Sequence, residues 1–235
     1  MIGKKILEGI NLTIIYKQDD KLSYPLREAN LYVREKEIAV IEGHRKSGKS
    51  VILQAISGDH EFKNGVITIN NISLTTLRNE QEKKNWKLRV ANHIPDFYEL
   101  IDDASVQFNI ELPLTLLDYS RRLRYRQMIL ACEAFKILDL HKTKARELSP
   151  SQVFSVLCAR TLVADPAIIL IDDPFTNMPK YFKIDSLRDT IEDINFCIHV
   201  FRELNRTLLI TAREHSRYIY RNRLFKKLFG KLILN

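Results

Sequence analysis

The segment Gly43-His44-Arg45-Lys46-Ser47-Gly48-Lys49-Ser50 fits G-x-x-x-x-G-K-[ST], and few octapeptides restrict a fold so tightly. The pattern works only as a tight loop between a strand and a helix, where successive backbone N–H groups turn inward around phosphate oxygens. The flanks agree. Residues 37–42 (EIAVIE) form a short apolar run that reads as a buried strand, and residues 48–57 read as a helix stopped by Gly58. In such a loop Lys49 reaches the outer phosphates and the Ser50 hydroxyl faces Mg²⁺. A second buried run, 167–171 (AIILI), ends on Asp172-Asp173-Pro174. It offers a carboxylate, Asp172, to hold the metal through water, and the pairing makes an accidental Gly-Lys-Ser turn a poor explanation.

The remaining pattern is alternating. Strands are expected over 10–17, 30–34, 65–70, 89–94 and 206–211, and helices over 78–87, 120–138, 149–162 and 181–204. Ser149 is an N-cap with Pro150 at the first helical position. A wholly helical stretch thus interrupts an alternation of strands and helices, which predicts an α/β parallel sheet carrying a helical insertion. No internal repeat or flexible linker is visible.

Composition narrows the class. The 235 residues are 45% hydrophobic and 28% charged, which excludes wholesale disorder. Cys132, Cys158 and Cys197 form no CxxC, which excludes a cysteine zinc site and suits a reducing compartment. No apolar run approaches a membrane span and the first ten residues lack a secretory core, so the chain is expected to be soluble and intracellular. The net charge of +8 is concentrated. Arg121, Arg122, Arg124 and Arg126 form one cluster, and seven basic residues against Glu214 form another from Arg213 onward. A solvated helix face explains such clusters most simply; anionic lipid is the other reading. No nucleic-acid module is recognisable.

Together these motifs resemble the ATP-binding subunits of ABC transporters, and within them the cell-division ATPase FtsE and its lipoprotein-exporter relatives. Tyr16 falls where that family places its adenine-stacking aromatic. Asp96-Phe97 with Asn109-Ile110-Glu111-Leu112-Pro113-Leu114 is similar to the segment after the family's Q-loop. Leu148-Ser149-Pro150-Ser151-Gln152 occupies the LSGGQ-type signature, and Ala159-Arg160-Thr161-Leu162, Asp165-Pro166 and Asp172-Asp173-Pro174 keep the family's order. The resemblance implies one P-loop NTPase (RecA-like) domain with a parallel sheet, an antiparallel β subdomain and an inserted α-helical subdomain. Residues 1–94 and 163–235 form the core with the β subdomain; residues 95–162 form the helical part with the signature helix. It implies ATP and Mg²⁺ as ligands, held by Tyr16, the loop from Gly43 to Val51, Ser50 and Asp172, with Ser149 presented to the nucleotide of a second subunit. A homodimer, or a heterodimer with another ATP-binding subunit, would work on an FtsX-like or permease partner at the cytoplasmic face of the cell membrane.

Several positions depart from the family pattern. Pro95 stands at the Q-loop glutamine and has no side-chain amide. Pro150 and Ser151 replace the signature glycines, and Pro150 removes an N–H donor. Asp173 replaces the catalytic glutamate with a side chain one methylene shorter, and Arg213 stands at the switch histidine, with His215 two residues late. The D-loop aspartate position falls near Pro179. Lys46 replaces a glycine that often needs φ > 0. Lys49, Ser50 and Asp172 are retained. The division predicts nucleotide binding with weakened or lost turnover, and leaves its standing as an enzyme open. The competing readings are an ordinary ATP-hydrolysing transporter subunit and a catalytically dead adaptor. A soluble P-loop kinase is disfavoured, because Leu148–Gln152 lies one helix before the Asp172 strand.

Overall fold

The computed structural model describes residues 3–18, 21–95, 99–175, 187–213 and 229–233. The expectations placed on Asp96-Phe97, Pro179, His215, the first turns of the helix from Tyr181 and most of the basic stretch after Arg213 lie outside these residues.

Two sheets organise the chain. A hairpin of two fourteen-residue strands, β1 (Lys5–Gln18) and β2 (Lys21–Arg34), joins β4 (Asn64–Ile69) and β5 (Ile72–Ser73) in an antiparallel sheet of order β2-β1-β4-β5. A second, all-parallel sheet has the order β6-β7-β8-β3-β9, built from β3 (Ile38–Gly43), β6 (Ala91–Ile94), β7 (Ile168–Ile171), β8 (Leu208–Arg213) and β9 (Phe229–Ile233). Its central strands are apolar on both sides because both faces are covered. Ile38 and Val40 of β3 face one core, with the helices α3 (Val106–Leu116), α4 (Arg121–Ala134), α5 (Pro150–Val163) and α6 (Leu187–Glu203). Ala39 and Ile41 face another, with α1 (Lys49–Ser57) and the antiparallel sheet. This is the expected α/β architecture, with its antiparallel subdomain and helical insertion.

Local boundaries differ from the sequence expectations. β1 and β2 run well beyond 10–17 and 30–34; four register shifts along their pairing break the period-two pattern that marks a strand. The expected strand over 89–94 begins at Ala91, after a short helix α2 (Glu80–Asn85) and a π-helical turn, Trp86–Val90. Trp86 fixes that turn: its ring is buried and its Nε1 donates to the Ile56 carbonyl at 3.0 Å. The helix expected to reach residue 138 stops at Ala134, because Lys136 turns to φ 56° and Phe135 folds back against Phe201, ring centroids 5.3 Å apart.

Candidate functional site

Three neighbouring strands end side by side. Gly43, at the end of β3, pairs in register with Arg213 at the end of β8, and Ile171, just before Asp172, pairs with Ile210. The loop, the carboxylates and Arg213 therefore gather at the carboxyl edge of the parallel sheet, where ligands of open α/β sheets bind.

The loop enters α1 through Gly48, whose φ of 86° is open to glycine. A Cβ there would lie 2.4 Å from Pro25 Cβ and 3.1 Å from a ring carbon of Tyr16, so no side chain fits. Lys46 holds φ 66°, the left-handed conformation anticipated at that position. Its carbonyl accepts the Tyr16 hydroxyl at 2.7 Å, which clamps the β1–β2 hairpin to the loop. His44, Arg45 and Lys46 are exposed, Ser47, Ser50 and Val51 half-buried, and Gly43 buried. The Lys49 amine is buried and donates to the carbonyls of Gly43 at 2.9 Å and His44 at 2.7 Å. Burial pushes its pKa below the ordinary lysine value; Asp173 and Asp172 pull it back up, and Arg213 adds to the lowering.

Asp172 is 3% exposed. Thr211, on the adjacent β8, donates its hydroxyl to Asp172 Oδ1, and its Oγ1 accepts the Asp173 N–H at 2.9 Å. One threonine thus sets the orientation of both acids. It is a residue the sequence reading missed, its signal being a polar side chain in the buried run 208–212. Pro25, behind Gly48, carried no signal. Asp173 sits at φ 39°, and its Oδ2 lies 3.5 Å from Arg213 Nε.

Ser50 and Asp172 supply hard oxygen donors of the type Mg²⁺ takes. Among the described residues no three His, Cys, Asp or Glu side chains cluster as a metal site, so a cation at this edge would complete its shell with phosphate oxygens and water. Those two donors fit such a role.

Ser149 stands elsewhere, at the N-terminus of α5. Its hydroxyl accepts the Gln152 N–H while Gln152 Oε1 accepts the Ser149 N–H, a complete capping box that seats Pro150 at the first helical position. Among the described residues no hydrogen bond joins Ser149 to the Gly43–Val51 loop. Pro95 follows β6 directly. Between β6, the end of α1, α3 and α5 lies a cleft of about 230 Å³, lined by Leu88, Leu112 and Leu116 with Asp59, Lys87 and Arg160 on its polar side.

Residues 26–176 match the ABC transporter family model. The chain is 28% identical over 208 residues to the methionine import ATP-binding protein MetN of Streptomyces avermitilis, covering 86% of this chain and 58% of that protein. It is 25% identical over 188 residues to the lipoprotein-releasing system ATP-binding protein LolD of Ehrlichia ruminantium, covering 80% and 79%. Against the dimeric structure of a bacterial ABC transporter cassette the TM-score is 0.75 at 24% identity, covering 97% of this chain and 94% of the other. The chain spans little more than half the length of the curated MetN relative. With 151 of its 235 residues inside the family match, the chain belongs to the ABC transporter family.

Proposed function

We propose that this chain is an FtsE-like ATP-binding subunit that grips Mg-ATP, couples nucleotide-driven dimerisation to an integral-membrane partner, and hydrolyses the nucleotide poorly. The observation that carries the last clause is the ion pair between Asp173 and Arg213. A general base must be free to accept a proton from water at hydrogen-bond reach, about 2.6–3.2 Å. A carboxylate already engaged by a guanidinium is poorly placed to take a proton from water, and arginine is no proton shuttle. Asp173 is also one methylene shorter than glutamate, and Pro95 contributes no amide. The gripping residues have no such handicap: Lys49, Ser50 and Asp172 keep the chemistry that phosphate and Mg²⁺ require.

The other features support the reading as follows. Tyr16 closes the adenine side of the loop. Ser149 and the α5 N-terminus lie apart from this chain's own loop, as a signature offered to a second subunit would. We read residues 95–162 as the lobe that meets the membrane partner, with the Leu88–Leu112–Leu116 cleft as the socket for a short helix of that partner. Residues 1–94 and 163–235 are the nucleotide-gripping lobe. No helix among the described residues is long and apolar enough to cross a membrane. In this reading the chain sits peripherally on the cytoplasmic face beside a membrane-spanning partner. The likeness to LolD over most of both chains supports the exporter or FtsE type, with an FtsX-like or permease partner; a homodimer and a heterodimer fit equally.

Calorimetry with Mg-ATP and a phosphate-release assay test the proposal. The expected result is saturable binding with turnover at least a hundredfold below about 1 s⁻¹. Asp173→Glu alone should restore little, and Asp173→Glu with Arg213→His should raise turnover tenfold or more. Turnover near 1 s⁻¹ in the unaltered chain would make it an ordinary transporter ATPase. Absent binding would make it an adaptor that keeps only the fold.

A further inference from the structure

The parallel sheet has a second edge. At its amino end, opposite the Gly43–Val51 loop, the approaches to β3, β6, β7 and β8 meet the start of β1 and the end of β4, and a cleft of about 390 Å³ lies between them. The six residues of β3 alone separate the two edges by about 20 Å. Three cations, Lys4, Arg89 and Arg206, line this cleft together with two acids, Glu35 and Asp165.

Cations gathered in one cleft repel, and the chain supplies little to offset them. Arg206 donates through Nη1 to Asp165, and its Nε is buried with no hydrogen-bond partner among the described residues. Arg89 is matched with a neutral group: its guanidinium donates to the Tyr119 hydroxyl and lies 5.3 Å from the centre of that ring. Lys4 Nζ reaches the Asn70 side-chain oxygen at 3.4 Å. Among the described residues no ion pair joins Glu35 to any of the three. One carboxylate therefore answers three cations. A tie between the approaches to β7 and β8 accounts for Arg206 and Asp165, but gives no reason for Lys4 and Arg89 beside them.

We propose that this cleft binds a small organic phosphate, a dianionic monoester whose organic part carries hydroxyl groups. A phosphate dianion has three peripheral oxygens, enough to meet the Lys4 ammonium and two guanidinium groups at once, whereas a carboxylate presents two oxygens in one plane. The cleft is far larger than a bare phosphate, and Ile6 and Ala167 give the organic part an apolar wall. Glu35 accepts a hydroxyl of that part, and its charge disfavours a triphosphate. The site is separate from the nucleotide loop and stands whether or not ATP binds there.

Calorimetric titration of the full chain with glycerol phosphate, and with succinate as a dicarboxylate control, decides it. Lys49→Ala disables the nucleotide loop, and saturable binding of glycerol phosphate should survive it. In that background Lys4→Gln and Arg206→Gln should each weaken binding about tenfold or more, the loss of one charge-assisted hydrogen bond. Lys4→Gln breaks no ion pair among the described residues, so an unchanged thermal midpoint reports that it is folded. Glu35→Gln should instead tighten binding of inorganic phosphate several-fold, because it removes a like charge and no donor. Binding that disappears with Lys49→Ala would belong to the nucleotide loop and overturn the proposal. Binding indifferent to Lys4→Gln and Arg206→Gln, or no binding at all, would overturn it equally. Succinate held as tightly as glycerol phosphate would overturn the assignment to a phosphate.

Discussion

The two halves of the site at the sheet's carboxyl edge obey different constraints. On one side the Gly43–Val51 loop is held through contacts to its main chain. Gly48 is fixed by the steric wall of Pro25 and Tyr16, Lys46 is pinned through its carbonyl, and Lys49 is tied to two loop carbonyls. On the other side Asp172, Asp173, Thr211 and Arg213 are held by side chains reaching between β7 and β8. The first half needs a local pattern and keeps it. The second is closed by contacts between side chains of neighbouring strands, the Asp173–Arg213 pair among them. On the function proposed above, the cleft loses chemistry on one wall and keeps its grip on phosphate on the other.

The largest expected effect lies on the loop wall. Lys49→Ala removes the buried cation to which the proposed function assigns the phosphates, and ATP affinity should drop by about a hundredfold or more in a calorimetric titration, the range for deleting one partner of a desolvated charge pair. If the comparison holds, Arg213→Ala should by contrast alter affinity only a few-fold. Equal losses would mean that both walls grip.

Next in size is Thr211→Val, which keeps the β-branched shape in a buried strand. It strips the Asp172 carboxylate and the Asp173 N–H of their shared partner. An unsatisfied buried group of this kind costs about 2–3 kcal/mol, to be read as a lower urea midpoint with unchanged slope. A loss under about 0.5 kcal/mol would show that the carboxylate wall is not organised through this threonine.

Ser149→Ala should cost about 1 kcal/mol through loss of the capping box, a fall of a few degrees in midpoint for a domain of this size. Binding of ATP to the isolated subunit should not change, because Ser149 has no hydrogen bond to this chain's loop. A parallel loss of affinity would place the α5 N-terminus at the chain's own nucleotide.

Which parts were legible in the sequence follows the same division. Gly43–Ser50 and its flanking strand and helix were readable because each residue's role is set by near neighbours, down to the positive φ of Lys46. Asp172 was readable as the polar end of an apolar run, and Ser149 with Pro150 as a local cap. Thr211 was not, because its two contacts cross from one parallel strand to the next, 38 and 39 residues away. The contact between Cys158 and Cys197 was hidden for the same reason: α5 and α6 bring the thiols together in the core, where burial, ahead of Cys197 itself, raises the Cys158 thiol well above its usual range. The length of the β1–β2 hairpin was masked by its bulges, and the π-helical turn by Leu88 and Val90, which mimic a strand while Trp86 anchors the turn in the core.

The smallest effect bears most directly on how the loop wall is built. Lys46 is a non-glycine residue at φ 66°, a conformation that costs an L-residue roughly 1–2 kcal/mol. Glycine there removes the strain but returns about 0.5–1 kcal/mol of backbone freedom to the unfolded chain. Lys46→Gly should therefore gain up to about 1 kcal/mol, a midpoint about 2–4 °C higher. The Tyr16 hydroxyl keeps its acceptor, because the contact is to the main-chain carbonyl. Affinity should move the other way, falling a few-fold as one exposed cation leaves the phosphate site, and the fall should shrink at high salt. Stability and affinity of opposite sign in one substitution would show that the loop carries strain in exchange for charge. A loss of both would mean that Tyr16 holds the lysine conformation specifically, and that the loop wall depends on its side chains as much as the carboxylate wall does.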